Sequence, residues 1–291
     1  MKNFGAKIFK DKHKLNRLLK LAKTNKYSAP HLAKIFLCER KTILGILNLC
    51  KIKLKNLGKF KKKYFCNDNF FKTLIPSSTY WLGFVTADGC LYCGKNKSKK
   101  FQIALKESDV GHLRYFKKAL NSNVKIYFIK SNRSAGFSLS SSVIFDSLVS
   151  LGVLPNKSFS MGTVSVPNNL MSHFIRGVFD GDGSLSGERI THLQIAIVGH
   201  TPLLRQIQNI FIKKCGVKKV NLYPASYANG CTISRLQYTG SQIFRILGFL
   251  YKNSTEETRL KRKYEKYLMF KNKFPLSFRE SMEQYKNPAK L

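Results

Sequence analysis

A nine-residue pattern occurs twice in this chain, 94 residues apart. The first copy is Trp81-Leu82-Gly83-Phe84-Val85-Thr86-Ala87-Asp88-Gly89, and the second is Ile175-Arg176-Gly177-Val178-Phe179-Asp180-Gly181-Asp182-Gly183. Each is an apolar stretch with small residues four apart, closed by Asp-Gly. Residues four apart share a helix face, which pairs Gly83 with Ala87 and Gly177 with Gly181. Small residues on a shared face let two helix backbones come close; the effect is best known in membranes, but the steric reason is general. Leu82, Phe84, Val85, Ile175, Val178 and Phe179 fill other positions, and a helix apolar nearly all round is a buried one. The pattern therefore predicts two short helices packed on each other at the centre of the protein. Asp88 and Asp182 emerge side by side at one end of that interface. Gly89 and Gly183 are expected in the left-handed conformation that commonly follows a helix C-terminus.

The chain holds 15 Asp and Glu against 52 Lys and Arg, so an acid repeated within one pattern is conspicuous. Two carboxylates at the C-terminal ends of neighbouring helices repel each other and meet the negative end of each dipole. Such a site costs stability unless a cation is held there. Mg²⁺ takes one or two carboxylates and completes its shell with substrate phosphates and water. Metal ions along a scissile phosphate stabilise both the attacking and the leaving oxygen. A plainer alternative, in which each Asp only caps its helix or starts a turn, suits one copy better than two copies with matched glycines.

The repeat extends past the pattern. Phe101-Gln102-Ile103-Ala104-Leu105 follows the first copy and Leu193-Gln194-Ile195-Ala196-Ile197 the second, at an offset of 92, which implies one loop differing by two residues. Each strand-like run leads into a segment with apolar residues at helical spacing, Val110–Leu120 and Pro202–Lys214. Further strand-like runs follow at Val124–Ile129 with Phe137–Leu139, and at Lys219–Tyr223 with Cys231–Tyr238. A last helix closes each unit, near Val143–Leu151 and Gln242–Tyr251. The unit reads helix-strand-strand-helix-strand-strand-helix, twice, which is an α+β fold.

The two motifs, the second internal match and this element order make residues 70 to 270 resemble a monomeric, double-motif LAGLIDADG homing endonuclease. The resemblance implies two pseudo-symmetric αββαββα repeats, at 70–158 and 159–270, with antiparallel sheets forming saddles on DNA and a tail at 271–291. It implies a Mg²⁺-dependent enzyme, with Mn²⁺ able to substitute, that hydrolyses both strands of a long duplex target and leaves short 3′ overhangs. Asp88, Asp182, Ala87 and Gly181 would make up the metal site. Pro155-Asn156-Lys157-Ser158 and Leu260-Lys261-Arg262-Lys263-Tyr264 are similar to segments that place a basic residue near the active centre. Lys157 and Lys263 are thus candidates to polarise the phosphate or organise the attacking water, with a phosphate clamp or a solvated surface as the alternative. Gln102, Lys106 and Gln194 are expected among the residues that contact DNA from the strands. Two departures stand out: Thr86 replaces the first Asp of the family motif, which the second copy keeps as Asp180, and Arg176 replaces a small or apolar residue.

Composition agrees with such a partner. The formal charge is +37 and the sequence pI about 10.1, and so large an imbalance calls for a polyanion. Lysines that neutralise phosphates release counterions, so affinity is expected to fall steeply with salt. No apolar run approaches the roughly 18 residues of a membrane span, and no signal peptide with a distinct apolar core is present. Seven scattered cysteines suggest no disulfide framework, hence a reducing compartment. That means cytoplasm or nucleoid, with an organellar matrix as the alternative. Cys90-Leu91-Tyr92-Cys93 lacks the second pair that a zinc site usually needs and reads as ordinary strand and turn cysteines.

Residues 1–63 hold 19 Lys or Arg against Asp11 and Glu39. Leu15, Leu18, Leu19 and Ala22 trace one helix. Ser28-Ala29-Pro30 looks like a helix start, with a Ser cap and an early Pro, and Leu32, Ala33, Ile35 and Phe36 follow. A turn at Leu37-Cys38-Glu39 leads to a third helix over Arg40–Cys50. This all-α module resembles a helix-turn-helix, although its turn lacks a Gly. Arg40, Lys41, Thr42, Gly45 and Asn48 are expected on or near the exposed face of the recognition helix, and Lys61, Lys62 and Lys63 in a basic linker that tracks phosphate. A plain helical extension is the alternative.

Two other functions compete with the nuclease: a DNA-binding regulator that kept the fold without cleaving, and an intron maturase whose basic saddle assists RNA folding. The presence of both Asp88 and Asp182 weighs against the regulator. An intein is disfavoured, since the chain opens with Met1 and ends Ala289-Lys290-Leu291, without the nucleophile and terminal His-Asn of splicing chemistry.

Overall fold

The computed structural model describes residues 11–24, 27–54, 64–94, 98–155, 161–226 and 232–286. The chain forms two compact units, 1–63 and 64–291. The first holds three helices, α1 (Lys12–Lys23), α2 (Ala29–Ile35) and α3 (Arg40–Leu49). Asp11 caps α1 by accepting from the Lys14 backbone N–H at 3.0 Å, which satisfies one of the donors left over at a helix start. Leu18, Ala22, Leu32, Ala33, Ile43, Ile46 and Leu47 form the core of this unit. In the turn between α2 and α3, Leu37 takes φ +47°, the left-handed conformation that glycine adopts more readily.

The second unit contains the repeat. Its first half runs α4 (Pro76–Asp88), β1 (Gly89–Cys93), β2 (Lys99–Lys106), α5 (Val110–Ala119), β3 (Tyr127–Ile129), β4 (Ser134–Ser140) and α6 (Ser142–Ser150). Its second half runs α7 (Met171–Asp182), β5 (Gly183–Ser186), β6 (Gln194–His200), α8 (Thr201–Cys215), β7 (Tyr223–Ser226), β8 (Thr232–Thr239) and α9 (Ile243–Tyr251), followed by α10 (Lys261–Lys273) and α11 (Pro275–Lys286). Both sheets are antiparallel with matching strand orders, β1-β2-β4-β3 and β5-β6-β8-β7. This is the double αββαββα architecture expected from the sequence.

The register corrects one detail. Gly89 pairs with Ile103, and Gly183 pairs with Ile197. The second strands are therefore equivalent at an offset of 94, the same as the motifs, and not 92. The two Gln-Ile-Ala runs match in sequence but sit two residues out of step in the sheets. A slip of two keeps every side chain on its own face, so alternation alone cannot reveal it.

One continuous apolar core joins the two halves. Helices α4 and α7 lie at its centre and pack on each other more extensively than any other pair of elements. Trp81 of α4 stacks on Phe116 of α5, with ring centroids 4.3 Å apart, which ties the central helix to its own sheet layer. No helix among the described residues is long and apolar enough to cross a membrane.

Candidate active site at the paired helix ends

The small residues let α4 and α7 touch backbone to backbone. A Cβ on Gly83 would overlap the Phe174 carbonyl oxygen and reach Val178 N at 3.0 Å. One on Gly177 would overlap the Tyr80 carbonyl oxygen and reach Phe84 N at 2.6 Å. At the far end Gly181 faces the methyl of Ala87, and its added Cβ would lie 3.1 Å from an Asp88 carboxylate oxygen. The Asp88 side chain thus lies against the helix end that carries Asp182. Asp88 is half-buried and Asp182 exposed. Both carboxylates are near enough to the Lys263 ammonium to favour its charged form.

Gly89 and Gly183 are not left-handed. Their backbones are extended, with φ −76° and ψ 153° at Gly89 and φ −87° and ψ 158° at Gly183. Each helix passes straight into a strand, β1 or β5. A side chain is excluded by crowding instead: a Cβ at Gly89 would sit 2.6 Å from the Val85 carbonyl oxygen, and one at Gly183 would sit 2.8 Å from Phe179 Cε2.

Lys263, near the start of α10, is buried. Its Nζ donates to the carbonyl oxygens of Phe179 at 2.6 Å, Asp180 at 2.8 Å and Gly183 at 2.5 Å, with Gly181 at 3.4 Å. The Asp180 and Gly181 carbonyls are among those that a helix end leaves without intrahelical partners, while the Phe179 carbonyl also accepts from the Gly183 N–H; a cation there also meets the negative end of the dipole. Burial pushes the ammonium down to about 8, with Arg262 adding to the shift.

Sequence reasoning missed what lies behind this end of α7. Asp180 is buried, and its Oδ2 accepts from the Leu260 N–H at 2.8 Å and from the Tyr80 hydroxyl at 2.9 Å. Arg176, one turn earlier, is fully buried. It donates to the carbonyl oxygens of Thr258 at 2.7 Å and Leu250 at 2.6 Å, and its Nη2 lies 2.9 Å from His173 Nδ1. Asp180 and Arg176 thereby fasten α7 to the segment that carries Lys263. The first repeat has no such acid: Thr86 Oγ1 donates to Leu82 O within its own helix at 2.8 Å. The only signal in the sequence was the pair of departures from the motif.

The sheet faces turned away from the core carry the strand residues. Gln102 and Lys106 are exposed on β2, and Gln194 is half-buried on β6. Gln102 donates from Nε2 to the Tyr127 hydroxyl at 2.8 Å. The same face of the first sheet presents Lys100 and Tyr92, and that of the second presents Tyr223 and Arg235, none of which had been singled out. Cys90 and Cys93 are free and exposed on β1. In the first unit Arg40, Lys41 and Asn48 are exposed and Thr42 is half-buried. Lys157 and the linker lysines Lys61, Lys62 and Lys63 lie outside the described residues.

No cluster of three or more His, Cys, Asp or Glu side chains comes together among the described residues. The paired helix ends offer oxygen donors alone, two carboxylates and backbone carbonyls. That donor set fits a hard divalent cation whose remaining positions go to phosphate and water.

No protein-family model and no curated protein sequence matches the chain. Solved structures do resemble it. They include the LAGLIDADG meganuclease I-AabMI bound to uncleaved DNA, at 14% identity over 73% of this chain and 97% of that one, with a TM-score of 0.44. The I-LtrWI LAGLIDADG homing endonuclease bound to target DNA matches at 13% identity over 75% and 96%, with a TM-score of 0.45. The homing endonuclease I-GzeII in complex with its DNA target matches at 15% identity over 74% and 98%, with a TM-score of 0.44. These are similarities of outline at low identity. The double-repeat architecture stands on the chain's own elements and registers.

Proposed function

We propose that this chain is a LAGLIDADG homing endonuclease that cuts both strands of a long duplex DNA site. The observation that carries the reading is the pair of Asp-Gly helix ends, Asp88 and Asp182, brought together by backbone contact between α4 and α7 in a protein of charge +37. One chain supplies both halves of the site, so it acts as a monomer. Asp88 and Asp182 would hold Mg²⁺, which activates water and stabilises the charge developing on the scissile phosphates, and Mn²⁺ would substitute. Each carboxylate serves one strand, which gives staggered ends with short 3′ overhangs. The exposed strand residues Lys100, Gln102, Lys106 and Gln194 contact the duplex, and Lys263 holds the end of α7 in place.

The test is end-mapping of cuts across a genomic or randomised duplex library with Mg²⁺, against Ca²⁺ and against Asp182→Asn. Paired, metal-dependent cuts at one sequence, lost in the variant, support the reading. Tight, salt-sensitive binding without cuts would turn it toward the regulator. Preference for structured intron RNA over duplex would turn it toward the maturase.

A further inference from the structure

Gly45 lies in the middle of α3, one turn after Lys41 and one turn before Asn48 and Leu49. Glycine in a helix interior is less favourable than alanine, because it gives up more backbone freedom on folding. The other glycines inside helices of the described residues have packing reasons. A Cβ would strike Phe174 at Gly83, Tyr80 at Gly177, Ala87 at Gly181 and Met282, at 3.0 Å, at Gly248. Gly111 also meets open space, but it sits in the first turn of α5. At Gly45 a Cβ would meet nothing within 4 Å. The fold of this unit gives no reason for the missing side chain.

The surroundings of Gly45 point to what needs the gap. Arg40 and Lys41 open the same helix and are exposed, and residues 1–63 carry 19 cations against two acids. Asn48 is exposed, and so are two large apolar side chains, Leu37 at 81% and Leu49 at 74%. We propose that this face of α3 docks in the major groove of duplex DNA, with Gly45 at the point of closest approach. The major groove, about 12 Å wide, admits a helix. Without a side chain at position 45 the helix backbone comes nearer the base edges. Asn48 then offers an amide suited to adenine and Leu49 an apolar surface for a thymine methyl. Arg40 and Lys41 fall to the phosphates, which position the helix without reading sequence. The inference shares duplex DNA with the proposed function but does not depend on cleavage.

The test uses the full chain without divalent metal. Duplexes are selected from a randomised library, and Gly45→Ala is compared with the parent in thermal stability, affinity and footprint. The expected result is a variant as stable or more stable, yet bound at least about tenfold more weakly and missing one protected segment. Lys41→Ala should weaken binding across sequences and lower the salt slope by about one. An equally tight, identically footprinted Gly45→Ala overturns the docking. A drop in thermal stability does so as well, because it would give the glycine a folding reason. A library that yields no preferred duplex, or structured RNA that competes better than duplex, also overturns it. Absence of cleavage once Mg²⁺ is added, with the footprint intact, counts against the nuclease and leaves the docking of α3 standing.

Discussion

Tyr80 donates its hydroxyl hydrogen bond to Asp180 Oδ2 at 2.9 Å, across the contact between α4 and α7. The same hydroxyl oxygen lies 2.7 Å from His112 Nε2. Since the Tyr80 proton goes to the carboxylate, His112 donates its own N–H to Tyr80. A chain of three side chains, from α5, α4 and α7, therefore crosses the middle of the protein and joins one repeat to the other. Burial pushes Asp180 up to about 6, and the hydrogen bonds from Tyr80 and the Leu260 N–H counter that shift.

Tyr80→Phe removes the hydroxyl and leaves a buried carboxylate and an imidazole short of a partner. A hydrogen bond to a charged group contributes roughly 1.5–3 kcal/mol, so the variant should be destabilised by about that much. A urea denaturation midpoint unchanged from the parent would show that the bond contributes nothing.

Gly177→Ala drives a methyl into the Tyr80 and Phe84 backbones. Neither helix can yield without parting from the other, so the cost should exceed the roughly 1–3 kcal/mol typical of overpacking. Chemical denaturation measures it. The sign is opposite to that expected at Gly45, though both substitutions are Gly→Ala inside a helix. A Gly177→Ala protein of parental stability would mean that α4 and α7 do not touch there.

His112 and His173 make the fold sensitive to acid. Burial pushes His112 down to about 3 and His173 to about 4, with nearby Arg262 and Arg176 adding to the respective shifts. Unfolded, each titrates near 6.5. Between these values the unfolded chain binds protons that the folded chain does not, so stability falls as pH drops from 6.5 toward 4. Asp180 works in the opposite sense between about 4 and 6 and offsets part of the slope. His112→Gln should therefore shallow the fall in stability between pH 6.5 and 4. Denaturant midpoints taken across that range would check it, and an unaltered slope would assign the acid sensitivity elsewhere.

Lys263→Met keeps the length of the side chain and deletes the cation. The carbonyls of Phe179, Asp180 and Gly183 then lose a shared donor inside the protein. Stripping the partner from buried polar groups costs roughly 1–3 kcal/mol each, so thermal stability should drop well below that of the parent. Cleavage, measured at a temperature where both proteins are fully folded, should drop too if the end of α7 shifts. Lost cleavage with parental stability would instead make Lys263 a residue that acts on the phosphate.

Much of the fold was legible because it depends on short-range periodicity. Gly83, Ala87, Gly177 and Gly181 announced a close helix pair through a spacing of four, and alternating residues such as Phe101, Ile103 and Leu105 announced strands with one buried face. The apolar residues of the first unit, from Leu18 to Leu47, traced its three helices in the same way. Periodicity says which way a side chain faces and says little about what it meets. Asp180, Arg176 and Lys263 are engaged by groups 74 to 100 residues away, and no local pattern carries that information.

The sequence by itself determined that two apolar helices would meet along their small residues and carry two acids to one place. Steric size and helical pitch are properties of each segment alone. Only the tertiary structure decided the register of the second strands, the extended backbone at Gly89 and Gly183, and the clamp of Asp180 and Lys263 behind the end of α7. A two-residue slip preserves every inward and outward face, and a buried charge is settled by whichever distant donors and carbonyls the finished fold brings within hydrogen-bond reach.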